Sequence, residues 1–126
     1  MSVYLDASAF LKLYFDEPDS QRAQDILSSD EDWVTGRHTA VEVRRNLARA
    51  LDGRYLAAAR RQFQRDWGGT AVVELTAEVC DAAAEIAEVT GARSLDAMHL
   101  GAAKVVGGGR LPFVTFDLKQ AQVARG

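Results

Sequence analysis

With 126 residues, 48% of them hydrophobic and 26% charged, the chain has the size and apolar mass of one domain with a core, and disorder is excluded. Its net charge of −3 argues weakly against nucleic acid, and the single Cys80 excludes a disulfide framework or a cysteine-rich metal site. No basic region leads into an apolar run at the start, and the stretch 9–15, interrupted by Lys12, is too short to span a bilayer, so a cytoplasmic chain without a membrane partner is expected.

Val3, Tyr4 and Leu5 form a short apolar run that reads as a buried strand, and Asp6 follows where that strand ends. Residues 8–15 read as a helix stopped by the Asp16-Glu17-Pro18-Asp19 cluster, and Asp19 or Ser20 caps a second helix reaching Leu27 or Ser28. Trp33 to Thr35 is a second strand, broken by Gly36. Thr39 starts a long helix with Val43, Leu47 and Leu51 at four-residue spacing, and another helix runs from about Arg54 to Trp67. From Arg37 to Arg65 eight arginines stand against Glu42 and Asp52, a local +6 while the remainder carries −9. That asymmetry fits an anionic partner, or a merely solvated arginine face. Residues 71–75 are the third strand. The helix over 76–90 has Val79, Ala83, Ile86 and Ala87 on one face, and Cys80 reads as a small packing residue there. Ser94 opens the next helix, residues 112–115 are the fourth strand, and Asp117 opens a last short helix. Strands alternating with helices predict an α/β fold with a central parallel sheet of four or five strands between two helical layers, in a single domain over 1–126.

Four acidic residues stand out: Asp6, Glu42, Asp96 and Asp117. Each has a structural reading. Asp6 and Asp117 can cap helices, Thr39 and Glu42 have the spacing of a capping box, and Asp96 suits the positive end of its helix. Their joint placement adds a second reading. Asp6 and Asp117 both follow parallel strands, at the edge where such sheets bind ligands, and the topology allows Glu42 and Asp96 to join them. Clustered carboxylates need a cation, and an all-oxygen set without sulfur suits Mg²⁺, with Mn²⁺ as a substitute. Such an ion can hold phosphate and activate water for phosphodiester cleavage.

These residues resemble the successive acidic motifs of PIN-domain ribonucleases: Asp6 in Val-Tyr-Leu-Asp-Ala-Ser, Glu42 in Thr-Ala-Val-Glu-Val-Arg, Asp96 in Ser-Leu-Asp-Ala-Met-His-Leu and Asp117 in Thr-Phe-Asp. Size and termini are similar to the toxin of a VapBC-type toxin–antitoxin pair, and the resemblance runs through essentially the whole chain. It implies a three-layer α/β/α fold, a Mg²⁺- or Mn²⁺-dependent endoribonuclease, a homodimer, and a small antitoxin covering the site. By the same resemblance Asp6, Asp96 and Asp117 hold metal, and Glu42 contributes directly or through water. Where many relatives carry a further acid, Lys119 and Gln120 stand here.

Ser8 and Thr115 are hydroxyls placed to orient Asp6 and Asp117, or a helix cap and a strand residue. Arg44, Arg45 and Arg49 share a helix with Glu42 and can steer RNA. His99 lies three residues after Asp96 and reads as structural, not as a ligand; His38 gives no signal of its own. Without an evident His–Lys–His set for attack by a substrate 2′-hydroxyl, hydrolysis leaving 5′-phosphate and 3′-hydroxyl ends is expected. Two other readings stay open: a phosphoryl-transfer or receiver-like domain with Asp6 as acceptor, and a non-catalytic dimeric binding module whose acids are only caps.

Overall fold

A computed structural model describes residues 2–29 and 32–125, with the backbone alone at Leu118 and Lys119. The Lys119 side chain, which neighbours Gln120 in the sequence, therefore lies outside the described residues. Four strands form one parallel sheet: β1 (Ser2–Leu5), β2 (Asp32–Gly36), β3 (Ala71–Val73) and β4 (Phe113–Val114), in the order β3-β2-β1-β4. Seven helices are seen among the described residues: α1 (Ala7–Leu11), α2 (Ser20–Leu27), α3 (Thr39–Ala50), α4 (Gly53–Gly68), α5 (Ala77–Thr90), α6 (Ser94–Gly107) and α7 (Leu118–Arg125).

The apolar run of β1 is central because it is hydrogen-bonded on both edges. Val3 pairs with Trp33 on one side, and Leu5 pairs with Val114 on the other. Successive strand side chains point to opposite faces. Val3 and Leu5 therefore enter a core with Phe10, Leu27, Val43, Leu47 and Phe63 from α1 to α4. Tyr4 enters a second core with Val34, Val79, Ala102 and Ala103, under α5 and α6. The result is helices on both faces of a parallel sheet, as expected. The sheet has four strands. At Gly101 the helices α5 and α6 touch so closely that a β-carbon would come within 2.8 Å of the Ala83 amide nitrogen.

Strand order places the site. β1, β2 and β3 progress in one direction, and β4 then returns to the far side of β1. The crevice beyond the carboxyl ends of β1 and β4 is the switch point at which such sheets bind ligands. Asp6 and Asp117 follow those two strands.

Local sequence rules give way to tertiary contacts at several places. The first helix stops at Leu11, and tighter i→i+3 bonds from Leu13 to Phe10 and from Tyr14 to Leu11 follow it. Asp19 makes no capping bond to α2; its carboxylate meets Lys12 Nζ at 2.7 Å. The Thr39–Glu42 capping box does not form. Thr39 Oγ1 instead pairs with Thr35 Oγ1 at 2.7 Å, and Glu42 turns toward α6. Cys80 is exposed, because the buried stripe of α5 is narrow and runs through Val79 and Ala83.

Candidate active site

Asp6 ends β1 and begins α1, and it is only 3% exposed. Its Oδ1 accepts hydrogen bonds from the Ala9 amide at 3.1 Å and from Ser8 Oγ at 2.6 Å. It is thus a true N-cap. Burial nevertheless pushes its carboxyl above the usual range, against the lowering effect of Ser8 and Thr115. Ser8 is not the cap. Its Oγ accepts from the Phe116 amide at 2.8 Å and lies 3.2 Å from Thr115 Oγ1, so it ties the end of β1 to the end of β4. Thr115 Oγ1 in turn accepts from the Asp117 amide at 3.1 Å. Asp117 Oδ1 accepts from the Gln120 amide at 3.0 Å, which starts α7.

Asp96 lies in the first turn of α6, with Arg93 Nε 3.6 Å from its Oδ2. Partial burial pushes its carboxyl up, Asp117 and Glu42 add to the rise, and Arg93 opposes it. Gln120 is buried, and its Nε2 donates to the Asp96 carbonyl at 2.8 Å. Glu42 is positioned from α3 by a buried chain of polar groups. The Gly36 amide donates to Tyr4 Oη at 3.0 Å, Tyr4 Oη meets His99 Nδ1 at 2.9 Å, and His99 Nε2 meets Glu42 Oε1 at 2.8 Å.

Asp6, Glu42, Asp96 and Asp117 line one cleft of about 570 Å³, together with Ser8, Asn46, Arg93, Ser94 and His99. The four acids come from four separate parts of the chain, Asp6 and Asp117 after β1 and β4 and Glu42 and Asp96 from α3 and α6, so dispersed capping does not account for their meeting. Their donor chemistry fits a hard divalent ion: carboxylate oxygens, no sulfur, and two groups whose charged form burial disfavours. The three aspartates surround the cleft without forming a close set. Among the described residues the side chains whose donor atoms already lie within 4.8 Å of one another are His38, Glu42 and His99.

Arg44 and Arg45 are exposed on α3 and do not line the cleft. His38, Tyr4, Asn46 and Arg93 are not singled out by the sequence. A histidine two residues past the Gly36 that ends β2 is the available hint for the first of them. His99 is buried, and the His38 ring lies 4.0 Å from it. No described helix is long and apolar enough to cross a membrane.

Comparison with known proteins gives concordant results. The PIN domain family model matches residues 3–126. Ribonuclease VapC49 of Mycobacterium tuberculosis is 37% identical over 120 residues, spanning 91% of this chain and 83% of that protein. Ribonuclease VapC47 of Mycobacterium tuberculosis is 34% identical over 119 residues, 91% of this chain and 84% of that protein. The crystal structure of Mycobacterium tuberculosis VapC20, described as a sarcin-ricin loop cleaving toxin, superposes with a TM-score of 0.78 at 20% identity, covering 96% of this chain and 94% of that one. FitAcB from Neisseria gonorrhoeae gives 0.75 at 19% identity, covering 98% and 93%. At these identities the structural likeness shows the fold.

Proposed function

The chain belongs to the PIN-domain family, and on that premise we propose that it is an endoribonuclease toxin of a toxin–antitoxin pair, hydrolysing RNA phosphodiester bonds at the carboxylate cleft with Mg²⁺ or Mn²⁺. The observation that carries this reading is the convergence of Asp6, Glu42, Asp96 and Asp117 on one cleft from four separate parts of the chain. Asp6, Asp96 and Asp117 would hold the ion, and Glu42 would contribute directly or through water. Bound there, the ion supplies the charge that lets the carboxylates coexist, polarises the phosphate and acidifies water.

The protein's own groups do the positioning. Ser8 and the Ala9 amide fix the Asp6 carboxylate, while Thr115 and the Gln120 amide fix the turn bearing Asp117. His99 holds Glu42 toward the cleft. Arg93, largely exposed at the mouth beside Asp96, is placed to meet a substrate phosphate. Arg44 and Arg45 lie outside the chemistry and serve the approach of RNA. A homodimer and an antitoxin partner belong to the same reading. An apolar groove of about 460 Å³ lined by Ile86, Val89, Leu111, Phe113 and Val123 supports a protein partner.

Purified protein incubated with RNA, with and without chelator, tests the proposal. It predicts cleavage that stops with chelator and returns with Mg²⁺, leaving 5′-phosphate and 3′-hydroxyl ends. Chelator-resistant cleavage, or 2′,3′-cyclic phosphate ends, would reject it.

A further inference from the structure

His38 follows β2 with its side chain only 6% exposed, and neither of its ring nitrogens makes a hydrogen bond of good geometry, the Leu95 backbone offering at most a poorly formed one. A buried polar group in that condition costs free energy, and unpaired buried groups in a folded protein call for a specific explanation. The ring is closely placed. It lies 4.0 Å from the His99 ring, and its Nε2 is 3.7 Å from Glu42 Oε1. His99 Nε2 approaches that same oxygen to 2.8 Å. One donor atom from each of His38, Glu42 and His99 lies within 4.8 Å of the other two. Tetrahedral ligands on one zinc ion stand about 3.4 Å apart at ordinary bond lengths, so small side-chain adjustments bring all three onto a single ion.

We propose that His38, Glu42 and His99 form a second divalent-cation site, which takes a first-row transition ion such as Zn²⁺ in preference to Mg²⁺. Two neutral imidazoles with one carboxylate form a donor set suited to zinc and its neighbours, whereas Mg²⁺ demands oxygen and releases its waters reluctantly. The surroundings support the assignment. A histidine that ligates through Nε2 needs an acceptor for its Nδ1 hydrogen, and Tyr4 Oη stands 2.9 Å from His99 Nδ1. The Tyr4 hydroxyl serves either neutral tautomer, donating to Nδ1 when the His99–Glu42 hydrogen bond is present and accepting from it when a cation replaces that bond. Gly36 gives the His38 ring its room, since a β-carbon there would meet His38 Cε1 at 2.6 Å. Glu42 and His99 line the open cleft, which gives the ion its path in. The site stands on its own geometry, whether or not the aspartates hold an ion.

The test is Zn²⁺ binding by calorimetry to wild type, His38→Ala and the double variant Asp6→Asn/Asp96→Asn, each first shown to unfold cooperatively. X-ray absorption on the Zn²⁺-loaded wild-type protein reports the ligands without any substitution. The expected result is a Zn²⁺ site with two imidazole ligands that resists millimolar Mg²⁺. Its affinity falls at least about tenfold in His38→Ala and holds in the aspartate variant. A zinc shell of oxygens alone, or an affinity indifferent to His38 and lost with Asp6 and Asp96, would overturn the proposal. Either of those results would leave the nuclease reading intact, because that reading rests on the four carboxylates of the cleft and not on a histidine-bound ion.

Discussion

His99 Nε2 and Glu42 Oε1 stand 2.8 Å apart, and this contact joins α6 to α3 across residues 57 positions distant in the chain. The imidazole is itself held by Tyr4, whose hydroxyl also accepts the Gly36 amide hydrogen. Tyr4→Phe removes both attachments and leaves a buried ring nitrogen and a buried amide unpaired. Each such loss costs roughly 1–3 kcal/mol, so urea unfolding should show a drop of about 3 kcal/mol in all. Cleavage should slow as well, because Glu42 is no longer aimed, and both effects are read from one preparation.

Ser8→Ala should act through Asp6. The hydroxyl donates to Asp6 Oδ1 and thereby lowers a carboxyl that burial raises. Without it the carboxyl moves further up, so Asp6 becomes charged only at higher pH. The acid limb of the kcat/KM profile should shift to higher pH by comparison with wild type. The Phe116 amide is also left without its acceptor, for about 1–3 kcal/mol of stability. An unchanged pH profile with lowered stability would assign Ser8 a structural role only.

His38 makes the metal-free protein sensitive to acid. Burial, with the neighbouring His99 second, pushes its pKa down from 6.5 to about 4, partly offset by Glu42 and by the Leu95 backbone. The unfolded chain therefore binds a proton at higher pH than the folded one does. Stability is full above about pH 6.5 and falls as pH drops toward 4, by at most about 3 kcal/mol. Asp6 and Asp96 work in the opposite sense, since their carboxyls are raised in the folded state and acid relieves them. The difference between wild type and His38→Gln, measured in chelator by denaturant unfolding from pH 7 to 4, isolates the histidine. Wild-type stability minus that of the variant should fall steadily with acid, by up to about 3 kcal/mol, whatever its sign at pH 7.

Arg44→Ala and Arg45→Ala should weaken RNA binding without touching the chemistry, because both side chains are exposed on α3 outside the cleft. The expected signature is a higher KM, an unchanged kcat, and a salt dependence of binding reduced by about 0.7 in log–log slope for each phosphate no longer neutralised. An unchanged slope would mean that these arginines only solvate the helix.

Much of this is readable along the chain because the governing signals are local. Val3 to Leu5 is apolar on both faces and ends at Asp6, which marks a central buried strand with a carboxylate at its carboxyl end. The helix stop at Gly91 follows from its left-handed backbone, with φ at 74°. Local signals mislead where a distant partner outcompetes a neighbour. Glu42 has the spacing to bond back to Thr39, yet it turns to His99 on another helix. Tyr4 reads as ordinary strand filling, and its link to His99 spans 95 positions and depends on how α6 docks. His38 carries no spacing signature at all; its place follows from strand order and from the small residue at Gly36.

Thermal unfolding of wild type, Asp6→Asn and Asp96→Asn, with and without Mg²⁺, tests the shared-cation account most directly. If the carboxylates meet because a divalent ion holds them, Mg²⁺ raises the wild-type Tm and shifts neither variant, and the metal-free variants melt no lower than wild type. If the acids only cap and charge their helix starts, Mg²⁺ leaves the wild-type Tm where it is, Asn serves at the Asp6 cap about as well as Asp, and the account fails.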